Sequence, residues 1–228
     1  MIKAIFLDWG NVFGTSSKEK ERKLDVILKP FGFSWKRFYP IWWQFYLLRS
    51  SGKIKTDREF EAYIRKVVGK NIPVKEIINT RISCQVIPEN HIEVVRELKK
   101  KYKVGILSNH VEEWIRQIIK NYKLKKLFDA LIISSKVGAR KPDALIYYTA
   151  LKEFSIKPEQ AIFVADEVAE DLVLATGLGI KTVWFKTNQT GLLNENDEKV
   201  LKIYRPDATI SNLKELPSAI ERIELTKV

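Results

Sequence analysis

The chain is poor in the residues that staple or metallate small folds. Cys84 is the single cysteine, and His91 and His110 are the only histidines. One chain therefore holds no internal disulfide and no cysteine- or histidine-rich zinc cluster. Cys84 is expected as a small buried apolar residue, His91 as structural or exposed. Any metal must be held mainly by carboxylates, which points to a hard cation such as magnesium. Long apolar runs are missing too. The opening "MIKAIFLD" is interrupted by Lys3 and stopped by Asp8, so it reads neither as a signal peptide nor as a membrane span. A cytoplasmic protein without membrane partners is expected.

Negative charge is in short supply: 40 Lys and Arg against 28 Asp and Glu leave a net charge of +12. Such a surplus attracts anions, whether phosphorylated metabolites, nucleic acid or an acidic membrane. The lysines are spread through "KEKERK", "ELKKKYK" and "NYKLKKLF", which read as solvated helical faces and connections. No zinc-finger spacing, aromatic RNA-binding signature or clear helix-turn-helix accompanies them, so a nucleic-acid partner is not expected. One Met and one Cys beside abundant Lys, Arg and Ile hint at a thermophile. Nothing in the pattern addresses oligomeric state.

What the sequence does contain is a large apolar fraction in short pieces. With 228 residues, 45% of them hydrophobic, it can bury a sizeable core as one domain or one domain carrying an insertion. The runs "IKAIFLD", "KVGILSN", "DALIISS", "QAIFVAD" and "KTVWF" each read as a strand. "HVEEWIRQIIKNYK", "PDALIYYTALKEF" and "EDLVLATGLG" have helical periodicity and lie between the later strands. This alternation predicts an α/β fold, a Rossmann-like parallel sheet with helices on both faces. Ligands of such sheets bind at the carboxyl ends of the strands, where Asp8, Ser108 and Asp166 would converge.

The alternation breaks after residue 14. "SKEKERKLDVILKPFGF", "WKRFYPIWWQFYLLRSSG" and "TDREFEAYIRKVVG" read as amphipathic helices separated by Gly and Pro. The expected organisation is a core of residues 1–14 and 90–228 with an all-helical cap of residues 15–89. Most of the cap's aromatics are expected in packing. The adjacent Trp42 and Trp43 cannot both point into its core, so one of them is a candidate for a pocket wall. The tail "RPDATISNLKELPSAI" reads as a last short strand and a closing helix.

Four weak motifs occur in a telling order: Asp8 after the first strand, Ser108 and Asn109 in "LSNH", Lys141 in "RKPD", and Asp166 with Asp171 in "FVADEVAED". In this order the chain resembles the haloacid dehalogenase-like hydrolase superfamily across nearly its whole length, and the helical insert resembles that superfamily's C1-type cap. "DWGNV" and "LLRSSGKIKTDREF" look like its glucose-1-phosphatase-like branch. The resemblance implies a magnesium-dependent phosphatase acting on a small phosphorylated metabolite. Asp8 would attack phosphorus and form an aspartyl-phosphate that water hydrolyses. Two anions must meet, so cations and donors are needed around the phosphate. Ser108 through its hydroxyl and Asn109 through its backbone N–H would hold phosphate oxygens, and Lys141 would neutralise charge and orient Asp8. Asp8, Asp166 and the carbonyl of Gly10 would hold magnesium, with Asp171 as a further ligand or support. Glu170 competes with Asp171 for the second acid, because both spacings occur in the superfamily.

Gly10 stands where most superfamily phosphatases have the Asp that protonates the leaving oxygen. Glycine keeps the carbonyl ligand and removes the proton donor, a function typically worth about a hundredfold to ten-thousandfold. A leaving group of low pKa would need it less; His110, a cap carboxylate or a water could replace it. His110 is otherwise expected to cap the following helix. Two alternatives remain open: a 2-haloacid dehalogenase, favoured by Tyr147 six positions after Lys141, and a non-catalytic binding protein of the same fold.

Overall fold

The computed structural model describes residues 1–187 and 195–226. Residues 188–194 and 227–228, which the sequence reading includes in the core segment, lie outside the described residues. The strands are β1 (Ala4–Leu7), β2 (Thr15–Ser16), β3 (Gln85–Val86), β4 (Lys103–Ser108), β5 (Ala130–Ile133), β6 (Ala161–Ala165), β7 (Lys181–Phe185) and β8 (Ala208–Ile210). The helices are α1 (Lys18–Leu28), α2 (Trp35–Ser50), α3 (Asp57–Val68), α4 (Val74–Ser83), α5 (Glu89–Leu98), α6 (Glu112–Asn121), α7 (Ser134–Val137), α8 (Ala144–Phe154), α9 (Val173–Gly177), α10 (Glu195–Val200) and α11 (Leu216–Leu225). Six strands form one sheet in the order β5-β4-β1-β6-β7-β8, and every neighbouring pair in it is parallel.

The expected α/β fold is thus observed, and the short apolar runs explain it. Ile5, Leu7, Val104, Ile106, Ile162 and Val164 point to one face, where they pack with α5, α6 and α11. Their neighbours Phe6, Leu107, Phe163 and Ala165 point to the other, beneath α8 and α9. Both faces are covered, as a parallel sheet requires. The chain leaves β1 towards β4 and β5, then returns to add β6 on the opposite side of β1. The order therefore reverses at β1, and a crevice opens at its carboxyl end, beside Asp8.

Between β2 and β3 the chain forms four helices, one more than the sequence reading singled out. The overlooked helix is α4, which buries Val74, Ile77 and Ile78. Ser17 and Thr56 cap α1 and α3, accepting from the N–H groups of Lys20 and Glu59. These helices pack around Leu24, Phe38, Trp42, Phe60, Ile64 and Ile77, and the cluster extends to Val111 and Trp114 of the sheet half. The ribbon β2–β3, with Thr15 opposite Val86 and Ser16 opposite Gln85, lies where the chain leaves for the insert and returns. Two residues per strand are too few for any periodicity to reveal.

Candidate active site

Asp8 follows the last residue of β1, and its N–H still continues the ladder by donating to the Val164 carbonyl at 2.9 Å. The next residues turn sharply: Val12 N–H donates to the Gly10 carbonyl at 2.6 Å and Gly14 N–H to that of Trp9 at 2.9 Å. Trp9 and Phe13 are buried beneath this turn, which fixes it from below. Asp8 is 8% exposed and lines the crevice.

Lys141 joins the separate pieces. The residue is 3% exposed, and its ammonium donates to Asp8 Oδ1 at 3.1 Å and to Asp171 Oδ2 at 2.8 Å. Burial alone would lower this ammonium's pKa, but Asp171 and Asp8 beside it more than compensate and raise it. The lysine therefore stays charged. Asp166 follows β6; its carboxylate accepts from Asn11 Nδ2 at 2.9 Å and its carbonyl from Trp184 Nε1 at 3.1 Å. Asp8, Asp166 and Asp171 each bring a carboxylate oxygen into a group lying within 4.8 Å of one another.

A π-helical turn, Val168–Leu172, carries Asp171. Its wide winding turns Asp171 inward to Lys141, while Glu170 accepts instead from Asn109 Nδ2 at 3.1 Å and lies 4.0 Å from Arg140. The acid in the buried cluster is thus Asp171. Tyr147, buried in α8, donates its hydroxyl to the Asp171 carbonyl at 2.8 Å and so steadies this turn from behind. Ser108 is buried at the end of β4. Asn109 does more than the sequence suggested: its Oδ1 accepts from Lys141 N–H at 2.8 Å and its Nδ2 donates to the Lys141 carbonyl at 3.0 Å. This side-chain clamp, like the support of Asp166 by Asn11, has no signature in spacing.

The acids are crowded. Burial, with Asp8 nearby, pushes Asp166 up to about 6. Burial also pushes Asp171 upward against the opposing pull of Lys141. Three carboxylates face a single ammonium, and their oxygens form a donor set that suits a hard divalent cation.

His110 does not cap α6 as expected. Its Nδ1 accepts from the N–H of Val111 at 2.8 Å, while the N–H of Glu112 is satisfied by Ser135 Oγ at 2.9 Å. Burial pushes the His110 imidazole down to about 4, so it is neutral at pH 7. His91 is structural: its ring bonds the Phe13 carbonyl at 3.1 Å beneath the Asp8 turn. Cys84 is fully buried and burial raises its pKa, which makes it an inert thiol.

The crevice continues into a cavity of about 430 Å³ between sheet and insert. Asp8, Ser108, Lys141 and Asp166 line its floor, and Tyr39, Trp43, Tyr46 and Arg81 line it from the insert. At Gly10 a Cβ would lie 3.6 Å from Asp8 Oδ2, an ordinary contact. The missing side chain reflects the residue chosen and not a lack of space.

A family model described as haloacid dehalogenase-like hydrolase matches residues 48–185, more than half of the chain. The chain belongs to the haloacid dehalogenase-like hydrolase family. The matched span begins inside α2, so Asp8 lies outside it. A curated relative, glyceraldehyde 3-phosphate phosphatase of Pyrococcus furiosus, is 32% identical over 138 residues, which cover 60% of this chain and 55% of that protein. The chain thus spans about half the length of this relative. A solved family enzyme of Bacteroides thetaiotaomicron, in complex with magnesium and inorganic phosphate, is 26% identical with a TM-score of 0.69, covering 82% of this chain and 95% of that one. A 2-haloacid dehalogenase of Pseudomonas syringae covers 97% of this chain and 99% of its own at a TM-score of 0.70 and 18% identity, a likeness of fold alone. No helix among the described residues is long and apolar enough to cross a membrane.

Proposed function

We propose that this hydrolase is a magnesium-dependent phosphatase that transfers the phosphoryl group of a small metabolite to Asp8 and then to water. The observation that carries this reading is the constellation at the crevice: the carboxylates of Asp8, Asp166 and Asp171 within 4.8 Å of one another and the Lys141 ammonium bonded to two of them. Asp8, Asp166 and the Gly10 carbonyl would hold the cation, with Asp171 holding Lys141 and supporting the shell. Bound there, magnesium would offset the charge of carboxylates and phosphate. The phosphatase names of relatives such as that of Pyrococcus furiosus, and the magnesium and phosphate of the Bacteroides enzyme, support the same assignment.

Each step follows from the chain's own groups. Lys141 holds one oxygen of Asp8 in place, so the other can attack phosphorus in line with the departing oxygen. Ser108 and the Asn109 N–H donate to the phosphate oxygens as charge spreads over them. With Gly10 unable to give a proton and His110 neutral, the leaving oxygen departs with help from a water or from a cap carboxylate such as Glu21, which lines the cavity, or is a weak base from the outset. The insert, residues 15–89, acts as the cap that closes over the ester and excludes bulk water.

The dehalogenase reading is weaker because Tyr147, its main support, is tied to the Asp171 carbonyl. Three crowded acids also suit a cation, which dehalogenases dispense with. Phosphate release from a panel of phosphorylated metabolites, with magnesium and with chelator, tests the proposal alongside halide release from 2-chloropropionate. Magnesium-dependent phosphate release is expected. Halide release without metal would replace the phosphatase with a dehalogenase, and silence in both would favour the non-catalytic binder.

A further inference from the structure

The neighbouring tryptophans of α2 have opposite fates. Trp42 is 2% exposed, edge-on to Phe60 at 4.9 Å and stacked on Trp114 at 5.9 Å. Trp43 is 41% exposed and lines the cavity above Asp8. Its ring is nearly parallel to those of Tyr39 (5.9 Å, 22°) and Tyr46 (5.3 Å, 27°). Residues three and four apart share a helix face, so the three rings make one strip along the cavity wall. Tyr39, at its outer end, is 39% exposed.

The inner end of the strip is pinned to the catalytic floor. Tyr46 donates its hydroxyl to the Asn109 carbonyl at 3.4 Å, and Asn109 adjoins Ser108. Trp43 lies one turn further out, about 4.5 Å along the helix axis. Trp43, although stacked with both tyrosines, thus keeps exposed aromatic surface on the cavity a short distance from where a phosphate would be held. The arginines on the same cavity are already engaged: Arg81 is paired with Glu21 and sits 5.6 Å over the Trp35 ring, and Arg140 bonds Ser50 and approaches Glu170. Beside Lys18, which could meet an anionic group, these walls present exposed aromatic surface, which recognises flat unsaturated rings by stacking. The cavity falls in the size range of sites for drug-sized ligands, whereas a three-carbon phosphate would leave the strip facing water.

We propose that the site takes a phosphomonoester whose leaving alcohol carries a planar unsaturated ring, a nucleobase or comparable heterocycle, joined by a short linker and stacked against Trp43. Its turnover, though not its binding, rests on the phosphatase reading above.

The test is calorimetric binding to the Asp8→Asn protein in magnesium, with uridine 5′-monophosphate and glyceraldehyde 3-phosphate as probes, followed by kcat/KM of the native chain on both. The nucleotide is expected to bind at least tenfold more tightly. Trp43→Ala should remove most of that preference and Trp43→Phe should retain it, with circular dichroism checking that both variants fold. Equal affinities, no binding of either probe, or a preference that survives Trp43→Ala in a folded protein would overturn the inference. A binding preference without phosphate release by the native chain would uphold the ring site and sink the catalytic reading. Hydrolysis of both probes without preference would do the reverse.

Discussion

Lys141 bonds two carboxylates that would otherwise repel across the crevice, so its removal should be felt twice. Lys141→Ala is expected to lower kcat by at least a hundredfold and, by leaving Asp8 and Asp171 unpaired, to destabilise the fold by about 3–5 kcal/mol; steady-state kinetics and urea denaturation measure the two. Gly10→Asp is expected to act in the opposite direction. The position has no positive φ and its Cβ would meet Asp8 Oδ2 only at 3.6 Å, so an acid fits beside the nucleophile. Hydrolysis of an unactivated alkyl phosphate should rise by about a hundredfold or more; no change would mean that another group already supplies the proton. His110 bears on pH. Its imidazole is pushed down to about 4, so from that pH up to the ordinary histidine value near 6.5 the unfolded chain binds a proton that the native chain refuses. Stability from this group is complete above pH 6.5 and declines as pH falls towards 4, by about 3 kcal/mol in all. His110→Gln should flatten that slope in denaturation curves recorded between pH 7 and 4.5. The positions of Asp8, Ser108, Lys141 and Asp166 were legible because each follows a strand or opens a turn in a readable order. The side-chain bonds of Asn11 and Asn109 were not, since a hydrogen bond across 155 residues, as between Asn11 and Asp166, leaves no local pattern.

At the scale of elements, alternating apolar runs revealed the strands, because a parallel strand buried on both faces must be apolar throughout. Three insert helices were legible from their periodicity and caps. What escaped was geometry that departs from regular periods: the two-residue ribbon β2–β3, and the π-helical turn that decides between Glu170 and Asp171. The link from α2 to α3 is a further case. Gly52 has φ +74°, and a Cβ there would come within 2.7 Å of the Ser135 carbonyl oxygen, so only glycine lets the insert approach the sheet half so closely. Around it Arg49, 3% exposed, bonds Asp57 and Glu113, and Ser134 Oγ donates to the Ser50 carbonyl at 2.6 Å. Gly52→Ala is therefore expected to destabilise by about 1–3 kcal/mol, read as a melting temperature several degrees lower. An unchanged melting temperature would mean that the approach is looser than it looks.

For the whole molecule, the surplus of 12 positive charges favours arrival of anionic esters but does not choose among them; the choice belongs to the cavity between sheet and insert. The acid-crowded floor links metal binding to stability. Magnesium at a hundred times its dissociation constant should stabilise the native chain by about 2.7 kcal/mol, raising its melting temperature, and Asp166→Asn should lose most of that rise. The most direct test of the account is chemical trapping. Native protein turning over an ester that it hydrolyses in magnesium is quenched in acid, digested and weighed by mass spectrometry, beside the same reaction in chelator and the same reaction with Asp8→Asn. The account predicts one added phosphoryl group on the peptide containing Asp8, absent from both controls. Turnover that persists in Asp8→Asn, or a phosphoryl group on any other residue, would contradict it.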